Sequence, residues 1–122
     1  MNKEVMFSSK TDLWSTPQDL FDALHKEFNF TVDVCADETN HKCKVYYDEK
    51  IDGLKQEWTG VCWMNPPYGR EIGKWIKKAD DTAKAGHTVV ALLPSRTATK
   101  WFHDYCLNHS IRFLKSQELI NM

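Results

Sequence analysis

Short, almost wholly apolar segments alternate with amphipathic helical stretches along this chain, and that alternation most constrains its fold. Residues 61–64 (Val-Cys-Trp-Met) and 88–93 (Thr-Val-Val-Ala-Leu-Leu) offer almost no polar side chain to either face of a strand. A strand apolar on both faces belongs in a parallel sheet covered by helices, because a half-solvated strand alternates polar and apolar residues. Pro66-Pro67 stops the first segment, since proline cannot donate to a ladder, and Pro94 closes the second. Between them Ile72, Trp75, Ile76, Ala79 and Ala83 recur at helical spacing, Lys74, Lys77 and Lys78 take the other faces, and Gly86 ends the helix. Upstream, Thr16-Pro17 reads as a capping residue followed by proline at the first helical position, with Asp19 placed favourably for the helix dipole. Leu20, Phe21, Leu24 and Phe28 then share one face, which predicts a helix over 17–28.

Residues 30–35 read as a buried strand with Asp33 near its end. The polar stretch 36–58 offers a short strand at 45–47 and a turn at Asp52-Gly53. A third helix from Thr97 carries Trp101, Phe102 and Tyr105, and residues 111–114 form a last strand. The pattern predicts one α/β domain over 1–122, with 1–13 a loose arm, built on a mostly parallel sheet with helices on both faces.

The formal charge of −1 means the chain is no polycation, so nucleic-acid binding would need a local basic face. The four cysteines form no C-x-x-C pair, nothing near the start resembles a signal peptide, and no run is long and apolar enough for a bilayer. The expectation is a cytoplasmic protein with reduced thiols and no membrane contact. Asp33, Cys35, Asp37, His41 and Cys43 lie close in sequence, but their spacing matches no structural zinc pattern, and no metal is expected.

Ligands of open α/β sheets bind outside the carboxyl ends of the strands, where the loops after Cys35 and Met64 fall. The second loop is Asn65-Pro66-Pro67-Tyr68. Methylating the amino group of adenine is hard because its lone pair is delocalised into the ring. Two acceptors on its two hydrogens would draw it towards a tetrahedral, nucleophilic geometry. The Asn65 side-chain oxygen can be one acceptor, and the Pro66 carbonyl, held by two fixed proline angles, the other. The Tyr68 ring can stack on a base flipped from the duplex. The plainer reading is a Pro-Pro turn with Tyr68 as a core aromatic; the strand before and the helix after favour the chemical one.

Several ordered blocks together resemble the phage-type DNA N-6-adenine methyltransferase family, small Dam-like enzymes of phages and prophages. They are Trp14-Ser15-Thr16-Pro17, the run from Glu27 to Ala36, Asp52-Gly53-Leu54 with Trp58, Asn65-Pro66-Pro67-Tyr68-Gly69, and Leu93-Pro94-Ser95-Arg96-Thr97 with Trp101-Phe102-His103. The resemblance implies a Rossmann-like methyltransferase fold, S-adenosylmethionine as methyl donor and double-stranded DNA as substrate. It places Asn65, Pro66 and Tyr68 in catalysis and Trp14, Thr16, Pro17, Asp33, Cys35 and Ala36 in the cofactor pocket, with Asp33 towards the cofactor's amino end. Either Asp48 or Asp52 would reach its ribose or adenine. Arg70, Arg96 and Lys100 would meet phosphates, Arg96 with the best claim. A host bacterial cytoplasm and a restriction–modification setting follow from the same likeness.

Family members continue beyond the last strand with a basic, glycine-containing segment and a final strand pair. Residues 115–122 are too short for that hairpin, so the resemblance implies a sheet truncated at its C-terminal edge. A homo-oligomer or a partner chain would then cover that edge. It also leaves open a second function, a catalytically weak or inactive methyltransferase-derived module that binds DNA or protein.

Overall fold

A computed structural model describes residues 16–122. Helix α1 spans Gln18–Phe28 and ends at Asn29, which takes the left-handed conformation and donates its N–H to the His25 carbonyl. It starts one residue later than its sequence signals place it. Pro17 is the capping position and makes no side-chain cap, while the Thr16 hydroxyl turns elsewhere.

Strand β1 (Val32–Asp33) is much shorter than the strand expected over 30–35, although Thr31 and Val34 each add one hydrogen bond to the neighbouring strand. On its outer side the expected strand at 45–47 contributes a single bridge, Asp33 to Tyr46. Residues 36–58 otherwise form loops and one 3-10 turn, Gly53–Lys55. Strand β2 (Val61–Met64), helix α2 (Ile72–Lys84) and strand β3 (Thr88–Pro94) follow the periodicity closely, except that Pro94 is the last strand residue rather than a break before it. In place of a regular third helix, a short turn leads into a π-helix, Phe102–Cys106, where Leu107 N–H reaches the Phe102 carbonyl at 3.2 Å. Its wider turn sets Phe102 and Cys106 into the core. Strands β4 (Ser110–Phe113) and β5 (Gln117–Asn121) complete the fold.

The sheet order is β1-β2-β3-β5-β4. The β1–β2 and β2–β3 pairs are parallel, whereas β5 runs antiparallel to both β3 and β4. One expectation is corrected here: the sheet is mixed rather than mostly parallel. Residues 115–122 hold no strand pair of their own, but they supply a turn and one strand, β5, which folds back on β4 and is inserted between β3 and β4. The reason is local: Ser116 accepts a positive φ of 69° and makes the tight return that a glycine would signal. Leu114 N–H then bonds the Gln117 carbonyl at 2.9 Å.

Alternation along the strands sorts the core into two layers. Trp63, Val90, Leu92 and Leu119 pack with Phe21, Leu24 and Phe30 on the α1 side. Cys62, Met64, Val89, Ala91, Leu93 and Ile120 pack with Trp75, Ile76, Ala79, Phe102 and Cys106 on the α2 side. Both faces are therefore covered by helices. Across the second layer, buried Asp80 of α2 bonds His109 just before β4 at 2.8 Å, tying helix to hairpin. Among the described residues no helix is long and apolar enough to cross a membrane.

If β5 is an integral strand, Ile120→Ala removes a fully buried side chain from the layer under α2. Urea unfolding should show a loss of about 2–5 kcal/mol. A change within about 0.5 kcal/mol, as surface positions give, is the result expected of a frayed tail instead.

Candidate active site

At the carboxyl end of β2 the ladder must stop, because neither Pro66 nor Pro67 can donate. Asn65 and Pro66 leave the strand still buried, and Tyr68 is half-buried. The next residue to form regular structure is Ile72 of α2, so the tetrapeptide is held between a central strand and a helix.

The alternation that points Trp63 to the α1 side also points Asn65 there. Its Nδ2 donates to the Thr16 hydroxyl at 2.9 Å, a buried bond across 49 residues of chain. That is where the Thr16 hydroxyl turns instead of capping α1. Tyr68 is fixed from the other end: its Oη donates to the Leu92 carbonyl at 3.1 Å and accepts from Gln117 Nε2 at 2.8 Å. Burial pushes the Tyr68 phenol up to about 12, against the Gln117 hydrogen bond and the charge of Arg96, so it stays neutral at ordinary pH.

Beside the tetrapeptide lies a cavity of about 530 Å³. Cys35 and Ala36 line it from the loop after β1, Pro67 from the tetrapeptide, and Trp75 from α2. Residues 36–58 supply the rest: Tyr47, Asp48, Asp52, Gly53 and Leu54 among them. The lining is acidic, with Asp37, Asp48, Glu49, Asp52 and Glu71 and no Lys or Arg. Gly53 is needed for closeness, because a Cβ there would stand 2.1 Å from the Val34 carbonyl oxygen. Trp58 secures this loop by donating its indole N–H to the Gly53 carbonyl at 2.8 Å and stacking on Trp75.

The residues singled out from sequence fall into separate groups. Thr16 and Asn65 meet directly, and Cys35, Ala36 and Pro67 share the cavity wall. Both Asp48 and Asp52 line the cavity, each also accepting a backbone N–H of its own loop, from Ile51 and Leu54. Asp33 is buried beneath the loop, its Oδ1 and Oδ2 accepting the N–H groups of Cys35 and Lys42. Burial raises the Asp33 carboxyl to about 6 against those bonds, and burial with the Asp33 charge raises the Cys35 thiol to about 12. Pro17 caps α1 and is exposed. Arg70, Arg96 and Lys100 are exposed, with Lys100 paired to Asp104. Trp14 lies outside the described residues.

Glu49 and Glu71 were not singled out from the sequence, while Tyr47 was read only as part of a short strand, Leu54 only as part of a family block and Trp75 only as part of a helix stripe. Their one sequence signal is Asp52-Gly53, a turn whose glycine proves to be a packing requirement. A second, more open hollow of about 510 Å³ behind α2, lined by Trp58, Lys74, Lys77, Lys78 and His87, shares no residue with the tetrapeptide. Lys74 and Lys77 are paired there with Glu71 and Asp81. Among the described residues no three of His, Cys, Asp and Glu converge as ligands of a metal would.

A family model described as DNA N-6-adenine-methyltransferase (Dam) matches residues 4–119. A protein of Haemophilus phage HP1 named DNA N-6-adenine-methyltransferase is 35% identical over 113 residues. The match covers 90% of this chain, which spans 65% of that relative's length.

The raised Asp33 carboxyl has a pH signature. The unfolded chain ionises it near 3.8 and the folded chain near 6, so the native state keeps its proton longer. Its contribution to stability is therefore largest below about pH 4 and falls by about 3 kcal/mol as pH rises to 6. Urea unfolding from pH 4 to 7 should show this fall in the parent chain and not in Asp33→Asn.

Proposed function

The chain belongs to the DNA N-6-adenine-methyltransferase (Dam) family, and on that premise we propose that it transfers a methyl group from S-adenosylmethionine to the exocyclic amine of an adenine flipped out of duplex DNA. The observation that carries this reading is the seat of Asn65-Pro66-Pro67-Tyr68 at the carboxyl end of a central strand, with Pro67 in the wall of an acidic cavity.

The donor set of that cavity fits the cofactor. S-adenosylmethionine combines a sulfonium and an ammonium with an adenosine, and when bound it would supply an electrophilic methyl group. Apart from Glu71, which Lys74 pairs, the lining carboxylates of Asp37, Asp48, Glu49 and Asp52 suit its cationic centres, while Tyr47, Leu54 and Trp75 give the apolar surface an adenosine needs. Asp48 or Asp52, both in the lining, would accept from its hydroxyl or amino groups, and Cys35 and Ala36 offer small side chains beside backbone. The Cys35 thiol, held neutral, is no nucleophile to compete for the methyl group.

The chain's own residues then prepare the amine. Thr16 holds the Asn65 amide by its nitrogen; on this reading the amide oxygen accepts one hydrogen of the amine. The Pro66 carbonyl takes the other hydrogen, from a backbone that two prolines fix before substrate arrives. The Tyr68 ring supplies the stacking face that replaces the base's lost neighbours. Its neutral, doubly bonded hydroxyl makes it a platform rather than an acid or base. No strong base is required, since the methylated amine is acidic enough to give its proton to water. Arg70 and Arg96, exposed on the loops after β2 and β3, would neutralise phosphates flanking the extruded base.

Two measurements test the reading. S-adenosylmethionine should raise the apparent melting temperature of the chain, by mass action on the native state. Tritiated methyl transfer to unmethylated duplex DNA should fall about a hundredfold or more in Asn65→Ala, with the cofactor's thermal shift retained. Undiminished transfer in that variant would remove Asn65 from the chemistry. Duplex binding without transfer in the parent would leave the binding-module reading in its place.

A further inference from the structure

We infer that Gln117 is a positioning residue for Tyr68, fixing the pose of the ring on which the target purine stacks. This rests on the methyltransferase reading and goes beyond it, because Gln117 lies on β5, outside every segment that carries the chemistry.

The argument starts from what a phenol can bond. Tyr68 Oη has one proton to give, and gives it to the Leu92 carbonyl at 3.1 Å; it accepts in return from Gln117 Nε2 at 2.8 Å. The ring is attached to the loop after β2, while its far end is held by two other strands, β3 through Leu92 and β5 through Gln117. One hydrogen bond leaves the ring free to swing about that contact. A second, from a different strand, removes the swing.

Gln117 can serve as an anchor because its own place is overdetermined. It pairs with Pro94 at the end of β3, and its carbonyl accepts Leu114 N–H at 2.9 Å. The residue before it, Ser116, accepts Ser95 N–H at 3.3 Å. The residue after it, Glu118, is fully buried and accepts the Ser95 hydroxyl at 2.9 Å. Ser116 and the first residues of β5 therefore hold both loops at the carboxyl end of the sheet, Tyr68 by Gln117 and the segment leading to Arg96 by Ser116 and Glu118. A platform that must meet a base in one orientation gains from such bracing, because small misplacements of reacting groups are expensive in rate.

The test is a double-mutant cycle on the full chain, with tritiated S-adenosylmethionine and unmethylated genomic DNA as probes. Gln117→Leu should lower kcat/KM for DNA about tenfold, the scale of one weakened base–aromatic stack, and leave cofactor affinity within about twofold. Tyr68→Phe keeps the ring but removes the phenol, so Gln117→Leu should add nothing in that background. Gln117→Asn, a milder change with its amide set back by a methylene, should repeat the loss if the leucine variant folds poorly. Equal losses in both backgrounds overturn the proposal, as does a lowered melting temperature with unchanged DNA kinetics; either leaves the methyltransferase reading intact. A parent chain that binds cofactor and DNA but transfers nothing overturns both.

Discussion

Two adjacent prolines decide what the end of β2 can be. Pro66 and Pro67 have no N–H to give a neighbouring strand, so a ladder that is parallel on both sides must end there whatever the flanking sequence prefers. The chain leaves the sheet at its carboxyl end with Asn65 and Pro66 still buried, and the buried Asn65–Thr16 bond fastens that exit to the start of α1. A buried amide without such a bond would cost about 1–3 kcal/mol. The entry angle of α1 and the exit of β2 are thus set by one contact.

The rest of the fold supports that exit from below. Strict alternation sends Trp63, Val90, Leu92 and Leu119 to one layer and Met64, Ala91, Leu93 and Ile120 to the other, so neither face of β2 or β3 is left to solvent. Tyr68 reads both strands at once, since its hydroxyl lies between the Leu92 carbonyl and the Gln117 amide. Insertion of β5 beside β3 is what brings that amide within reach.

Helices α1 and α2 and strands β2 and β3 were legible in the sequence because apolar period and proline punctuation agree there, and both are local signals. Strand β5 was not legible: Gln117, Glu118 and Asn121 are polar, only Leu119 and Ile120 are apolar, and its turn rests on a serine at positive φ. Tertiary pairing to β3 and β4 overrides that weak pattern. Strand β1 read too long because Phe30, Val32 and Val34 are apolar for burial, while the ladder itself is confined to Val32–Asp33. The tetrapeptide was visible as a motif, but the cavity beside it was half hidden. Its wall comes largely from irregular residues between 36 and 58, where no period exists, and from Trp75, which a helical stripe explains equally well. Thr16 read as a helix cap, and only the folded chain shows its hydroxyl on Asn65.

Charge is where sequence totals mislead most. A net of −1 conceals a local concentration of carboxylates around one cavity. Carboxylates of Asp37, Asp48, Glu49, Asp52 and Glu71 surround the cavity, while Arg70 and Arg96 stand exposed on the loops that follow β2 and β3. On the proposed reading a cation drawn to the first and a polyanion drawn to the second would not compete for one set of side chains. The Coulomb attraction of each weakens with salt to a different degree, since phosphates held by exposed guanidinium groups are screened more than a charge inside a cavity.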